Sequence, residues 1–326
     1  MGLSTIFSDS ILFTKIVGTA PSFLGLFTWL SMGVFALFNA SSLSKTLFSY
    51  RTVQIVLGIV VVSLIINKLY VINGFRIPGL LLQSTTFAMY SVCSIVVTLT
   101  VILSKKIKLS TQRKVISIVA LLIFNTTVMI SHSRVSYISL IIIYILFAIK
   151  MLYRNYKISI LFTFIAILIP LSMFINKNYF YRVSSQSVSY GTSYRLDLYK
   201  TSISDIAKNN TVIGNGPSTL PDAINDQNKA PEDIQSTLLS GYIFSSTHNL
   251  FIDLAYYFGL IAGLIVVLLT FLALFPKYIL KNPASDLKII FLVLLFNAIF
   301  NVPSLELTTL FIASLFSLLF YRYKRV

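Results

Sequence analysis

The sequence predicts an all-α polytopic membrane protein with about nine (8–11) transmembrane helices and one long extracytoplasmic loop between spans six and seven. Three observations predict it. Apolar residues make up 56% of the chain and charged residues only 11%, with a mean hydropathy of +0.85; soluble domains carry about 25% charged residues. Apolar runs recur near the ~20-residue length that takes a helix across a ~30 Å hydrocarbon core, where a helix satisfies its own backbone. Lysines and arginines concentrate in alternate connections between those runs, the pattern that fixes membrane orientation.

Along the chain, residues 1–21 hold Asp9 and Lys15 in a moderately apolar stretch. Without a basic start or a small-residue cleavage site, this reads as an interfacial segment rather than a signal peptide. Spans follow at about 22–40, 52–67, 80–103, 115–131, 135–150, 158–176, 249–275, 288–301 and 305–321. Residues 1–326 form a single membrane domain in this reading, with 177–248 as an extracytoplasmic loop subdomain that carries part of the active site. Within the loop, Leu196, Tyr199, Ile203 and Ile206 have helical spacing and predict a helix over Tyr190–Asn209. Gly214-Asn215-Gly216-Pro217 predicts a tight turn, and Pro221 to Glu232 a flexible cover over the site. The single Cys93 sits within a span, forms no intramolecular disulfide and reads as a small core residue. No repeat or low-complexity tract is evident.

Orientation follows from the basic residues. Lys45 and Arg51, the group from Lys105 to Lys114, the group from Lys150 to Lys157, the group from Lys277 to Lys288, and the tail with Arg322, Lys324 and Arg325 all fall on one side of an alternating scheme. By the positive-inside rule that side is cytoplasmic, and so is the C-terminus. The formal +16 is then a topology signal with added attraction to anionic membrane lipids, and it is no argument for nucleic acid. The chain is expected to be a multi-pass membrane protein. In a Cys93-free background, Ser236→Cys should react with an impermeant thiol reagent in whole cells and Ser110→Cys should not. Equal labelling of the two would overturn the orientation and the extracytoplasmic site with it.

The residues that carry chemistry stand near the outer face. His248 precedes the seventh span and bears an imidazole that ordinarily titrates near neutral pH, the commonest general base. Arg134 begins a span after the short Ser131-His132-Ser133 hairpin; such an arginine either snorkels or meets an anion. Arg195 lies on the loop helix, where the plainer reading is a solvated face. Gly214 and Gly216 lack the third glycine and the strand-turn-helix setting of a dinucleotide site, so the pair taken alone is a plain turn. Asp253 and Glu306 are carboxylates inside spans, where charge is costly and a polar interior or a functional role is the default. No acidic pair and no Cys/His metal spacing accompanies them. Two arginines and a histidine suit an anionic diphosphate leaving group and a base for a hydroxyl, because the planar guanidinium fork donates to phosphate through two bonds at once.

Ser133-Arg134 at the start of a span, Arg195 with Leu198 and Tyr199, Ile213-Gly214-Asn215-Gly216, and His248-Asn249 followed by Gly259 and Gly263 together resemble the O-antigen ligase and O-antigen polymerase family of bacterial membrane glycosyltransferases. The resemblance spans about residues 115–320. It implies a helical bundle of about ten to fourteen spans, so a span is expected to be missing toward the N-terminus. It also implies a place in the bacterial inner (cytoplasmic) membrane and metal-independent, inverting transfer of a glycan from undecaprenyl diphosphate to an acceptor hydroxyl, with no cofactor. By residue, it makes His248 the catalytic base or acceptor-orienting group, Arg134 and Arg195 diphosphate ligands, and Gly214, Gly216 and Asn249 supports. The expected partners are an undecaprenyl-diphosphate-linked oligosaccharide, an acceptor glycan and membrane lipids, with a polysaccharide chain-length regulator as a further candidate. Tyr199 stands where the ligase Arg-x-x-x-Leu pattern has leucine, with Leu198 one residue early. The looser match favours a polymerase of O-antigen, capsule or exopolysaccharide, with a ligase acting on lipid A core as the alternative. A flippase or a non-catalytic assembly partner is the rival of another class. Pro170, Pro276 and Pro303 form no matched pair of the kind that breaks transporter helices.

Overall fold

A computed structural model describes residues 47–69, 84–104, 107–131, 133–175, 185–209, 212–216, 246–274, 285–300 and 305–323. The N-terminal segment, the span expected at 22–40, His132 and the cover expected from Pro221 to Glu232 lie outside the described residues. Among the described residues the regular structure is helical throughout: α1 (Tyr50–Leu69), α2 (Ser84–Leu103), α3 (Thr111–Ile130), α4 (Arg134–Leu152), α5 (Tyr156–Ile175), α6 (Ser185–Asn209), α7 (Leu250–Phe258), α8 (Leu260–Leu274), α9 (Ser285–Phe300) and α10 (Leu305–Tyr323). Among the described residues three stretches, Thr85–Leu103, Thr111–Ile130 and Arg134–Leu152, are long and apolar enough to cross a membrane. Shorter apolar stretches lie at Tyr50–Ile65, Tyr156–Leu171, Leu260–Leu274 and Leu307–Leu319. The chain divides into two compact units.

One unit holds α1–α5 and α9 up to Asn297. Its centre is α2, whose Phe87, Val92, Ile95, Val96 and Leu99 are all buried. By contrast α3 and α5 present Ile118, Leu122, Phe164 and Ile167 outward, apolar side chains that suit lipid tails better than water. Three hydroxyls in the buried α2 are satisfied within the helix: Ser91 donates to Phe87 O at 3.1 Å, Ser94 to Tyr90 O at 2.7 Å and Thr98 to Ser94 O at 2.8 Å. Neighbouring helices are tied where a polar group meets one across the gap. Tyr144 donates to Asn125 Oδ1 at 2.9 Å, joining α4 to α3, and Ser159 donates to Ala148 O at 2.8 Å, joining α5 to α4. Lys150 in the last turn of α4 pairs with Asp286 in the first turn of α9, both largely buried. Those residues belong to two connections that the basic pattern puts on the same side, and the ion pair brings them to one end of this unit.

The other unit holds α6, α7, α8 and α10 as far as Leu319. The loop helix α6 ends at Asn209 as its sequence predicts, and starts at Ser185, five residues before the predicted start. Leu198, Ser202 and Ile206 are buried while Leu196 and Ile203 are exposed.

The seventh span departs from expectation. Residues 249–275 do not form one helix: the chain breaks at Gly259, whose φ is +89 and ψ +159. A Cβ on Gly263 would stand 3.2 Å from the Cα of Ala255, yet eight residues of straight helix rise about 12 Å. The two helices therefore fold sharply against each other. At nine residues α7 is about 14 Å long, too short to cross the core alone, and α8 continues it as a separate apolar helix of 15 residues. The physical cause is the Gly214 turn. The N–H groups of Asn215 and Gly216 donate to Tyr256 O and Tyr257 O at 2.8 and 3.0 Å, carbonyls that the break leaves without helical partners.

Candidate active site

The site is built on the entry to α7. Asn249 caps that helix, its Oδ1 accepting from the N–H of Phe251 at 3.0 Å and of Ile252 at 3.3 Å. Immediately before the cap, each of three successive amides is held by a side chain. Thr247 N–H donates to Asp253 Oδ1 at 3.0 Å, His248 N–H to Ser246 Oγ at 3.1 Å and Asn249 N–H to Thr247 Oγ1 at 3.2 Å. His248 sits in this clamp at φ +63, the one non-glycine with positive φ among the described residues. A left-handed histidine costs about 1 kcal/mol or more and persists only where its surroundings fix it.

Helix α6 runs beside α7 in the same direction, as two bonds show. The Tyr199 hydroxyl is hydrogen-bonded to the Asn249 side chain, and one to two turns on the Tyr256 hydroxyl donates to Asp205 Oδ2 at 2.7 Å. Arg195, one turn before Tyr199 and on the same face, lies close enough to act electrostatically on both Tyr199 and His248. Burial, and after it the positive charge of Arg195, lowers the His248 pKa from 6.5 to about 4. The imidazole is therefore neutral across the physiological range, a correction to the expectation that it titrates near pH 7. Burial is also the main influence on Tyr199, raising its pKa, with Arg195 and the Asn249 bond opposing.

Arg195, Asn249 and His248 are thus gathered in one unit. Gly214 and Gly216 belong to the same unit but lie at the far end of α7: the Gly216 N–H donates to Tyr257 O, and a Cβ on Gly214 would meet the backbone of Tyr257 to Gly259. Arg134 is the first residue of α4 in the other unit, half-buried, after the Ser133 cap. A cation there opposes the positive end of the helix dipole, so helix stability does not account for it. Asp253 is fully buried, and nothing is described of the Glu306 side chain. Sequence reasoning gave no role to Tyr199 or Thr247. The i,i+4 spacing from Arg195 signals the first; nothing in the sequence signals the second. Among the described residues no three His, Cys, Asp or Glu side chains gather as metal ligands would.

Comparison with known proteins adds one match. The family described as O-antigen ligase matches residues 118–268, which include Arg134, Arg195, the Gly214 turn, His248 and the Gly259 break. No curated protein and no solved structure matches the chain. Over residues 118–268 the chain is similar to the O-antigen ligase family.

Proposed function

We propose that the chain transfers a glycan from undecaprenyl diphosphate to an acceptor sugar hydroxyl at the outer face of the cytoplasmic membrane, as a surface-polysaccharide polymerase. The observation that carries this reading is a neutral imidazole held in a strained conformation beside an arginine. In the proposed step the acceptor oxygen bonds to the anomeric carbon as the carbon–oxygen bond to diphosphate breaks, and the leaving diphosphate keeps the electron pair. Arg195 stabilises the charge that builds there. His248 takes the acceptor proton. A pKa near 4 makes it a weak base, but a sugar oxygen that is bonding to carbon gains positive charge and becomes a strong acid, so a weak base suffices. A neutral histidine also leaves the arginine as the dominant charge for the anion.

The description of the matched family supports ligase as the second reading, with transfer to lipid A core instead of to a second lipid-linked unit. Incubation of the purified chain with a defined undecaprenyl-diphosphate oligosaccharide, with and without lipid A core, separates the two by product. In the productive assay Arg195→Ala should lower turnover roughly 30- to 1000-fold, equivalent to about 2–4 kcal/mol of lost leaving-group stabilisation. Arg195→Lys should recover little, because an ammonium lacks the paired donors. Near-normal turnover in both variants would return Arg195 to a solvated helix face.

A further inference from the structure

We propose that Asp253 is a positioning residue that sets the place of the His248 imidazole through Thr247. The proposal rests on the catalytic reading of His248 only for its consequence in turnover; the conformational claim stands on geometry. Asp253 is completely buried on α7, a location where an apolar side chain costs less than a carboxylate. One oxygen explains its presence. Asp253 Oδ1 accepts both the Thr247 N–H at 3.0 Å and the Thr247 hydroxyl at 2.6 Å, closing a ring across the helix entry from six residues downstream. The same hydroxyl accepts the Asn249 N–H at 3.2 Å. The residues on either side of His248 are therefore both referred to one carboxylate, and His248 is fixed between them at φ +63. The second oxygen, Oδ2, is buried and finds no hydrogen-bond partner among the described residues, which weakens the case for Asp253 as a generic packing group. Without Oδ1 the Thr247 peptide is released, and His248 relaxes to negative φ, which swings the imidazole away from Arg195.

Only two histidines are present in the chain, so a His132→Ala background on a histidine-free tag leaves His248 as the sole imidazole. Carbethoxylation of that residue by diethyl pyrocarbonate, followed by mass spectrometry on the full chain in detergent, reads its accessibility without any assay of function. Asp253→Ala should raise the rate about tenfold, the population change expected on losing a charge-assisted hydrogen bond. Asp253→Asn should stay within about twofold of the parent, since an amide oxygen accepts from the same two donors. If Asp253→Ala fails to fold, Thr247→Val removes the hydroxyl alone and should raise the rate about threefold. In glycan transfer, Asp253→Ala should lower kcat about a hundredfold with KM for the lipid-linked donor within about threefold, and Asp253→Asn should restore kcat. Equal carbethoxylation of folded Asp253→Ala, or of Thr247→Val, and of the parent overturns the proposal. Faster modification with unchanged transfer supports the positioning and removes His248 from the chemistry instead.

Discussion

Substitution of His248 by alanine is expected to lower glycan transfer by about 10²- to 10⁴-fold, the usual worth of proton transfer in the transition state. Binding of the lipid-linked donor should persist, since the diphosphate is assigned to Arg195. The folded protein should survive, because the clamp before α7 is built from Ser246, Thr247, Asn249 and Asp253 and uses only the His248 backbone. Alanine also disfavours φ +63, so His248→Gly is the companion that keeps the backbone while removing the ring, and it should be equally inactive. His132→Ala should be mild. The pH profile carries a sharper test. A base acts in its deprotonated form, and a histidine whose pKa is lowered to about 4 stays deprotonated further into acid than one at 6.5. Turnover limited by His248 should therefore be level from pH 8 to about pH 5 and decline as pH falls through about 4. An acid limb near 6.5 would show an imidazole in water and away from Arg195. Full-length polymer from both His248 variants would assign the proton to another group.

Much of the architecture was legible because the bilayer constrains it. A helix in hydrocarbon must be long, apolar and complete in its own hydrogen bonds, so α1 to α5, α9 and α10 begin and end within a few residues of apolar runs read from sequence. Of the residues gathered at the entry to α7, His248 stood out by residue type, and Arg195 and Asn249 were singled out only through the family resemblance. What the sequence hid is what depends on neighbours. The low His248 pKa reflects burial and a charge 53 positions away in the chain, neither of which a single sequence displays. Thr247 is an ordinary residue until the fold sets Asp253 against it. Residues 249–275 hid their break for another reason. An apolar run states that a segment avoids water, but one helix and two folded helices avoid it equally well. Only the glycines distinguish them, and they do so jointly with the turn at Gly214.

That joint dependence sets the second large effect. Gly259→Ala should abolish the folded state of the site-bearing unit or weaken it by roughly 2–6 kcal/mol, combining backbone strain of about 1–3 with overpacking of about 1–3. A Cβ on Gly259 would lie 1.9 Å from Val212 O and 2.5 Å from Val212 C. Both are backbone atoms and cannot rotate aside. Its φ of +89 is also a region that L side chains rarely occupy. The counterpart is equally tight: a Cβ on Gly214 would stand 2.4 Å from Gly259 N and 2.6 Å from Tyr257 O, so Gly214→Ala should be comparably damaging. The two glycines are in effect one contact, in which turn and break approach backbone to backbone, and the double variant should cost much less than the sum of the singles. The control is Gly58→Ala. That residue lies within α1 with nothing within 4 Å of an added Cβ, so alanine there should be neutral or stabilising by up to about 1 kcal/mol. Thermal unfolding in detergent, followed by the monomer peak in size-exclusion chromatography, separates these outcomes. Because α7 carries the His248 entry at one end and the Gly259 break at the other, residual folded Gly259→Ala protein should also have lost transfer. A Gly259→Ala chain that melts with Gly58→Ala would show that the turn does not hold the break, and that α7 owes its position to other contacts.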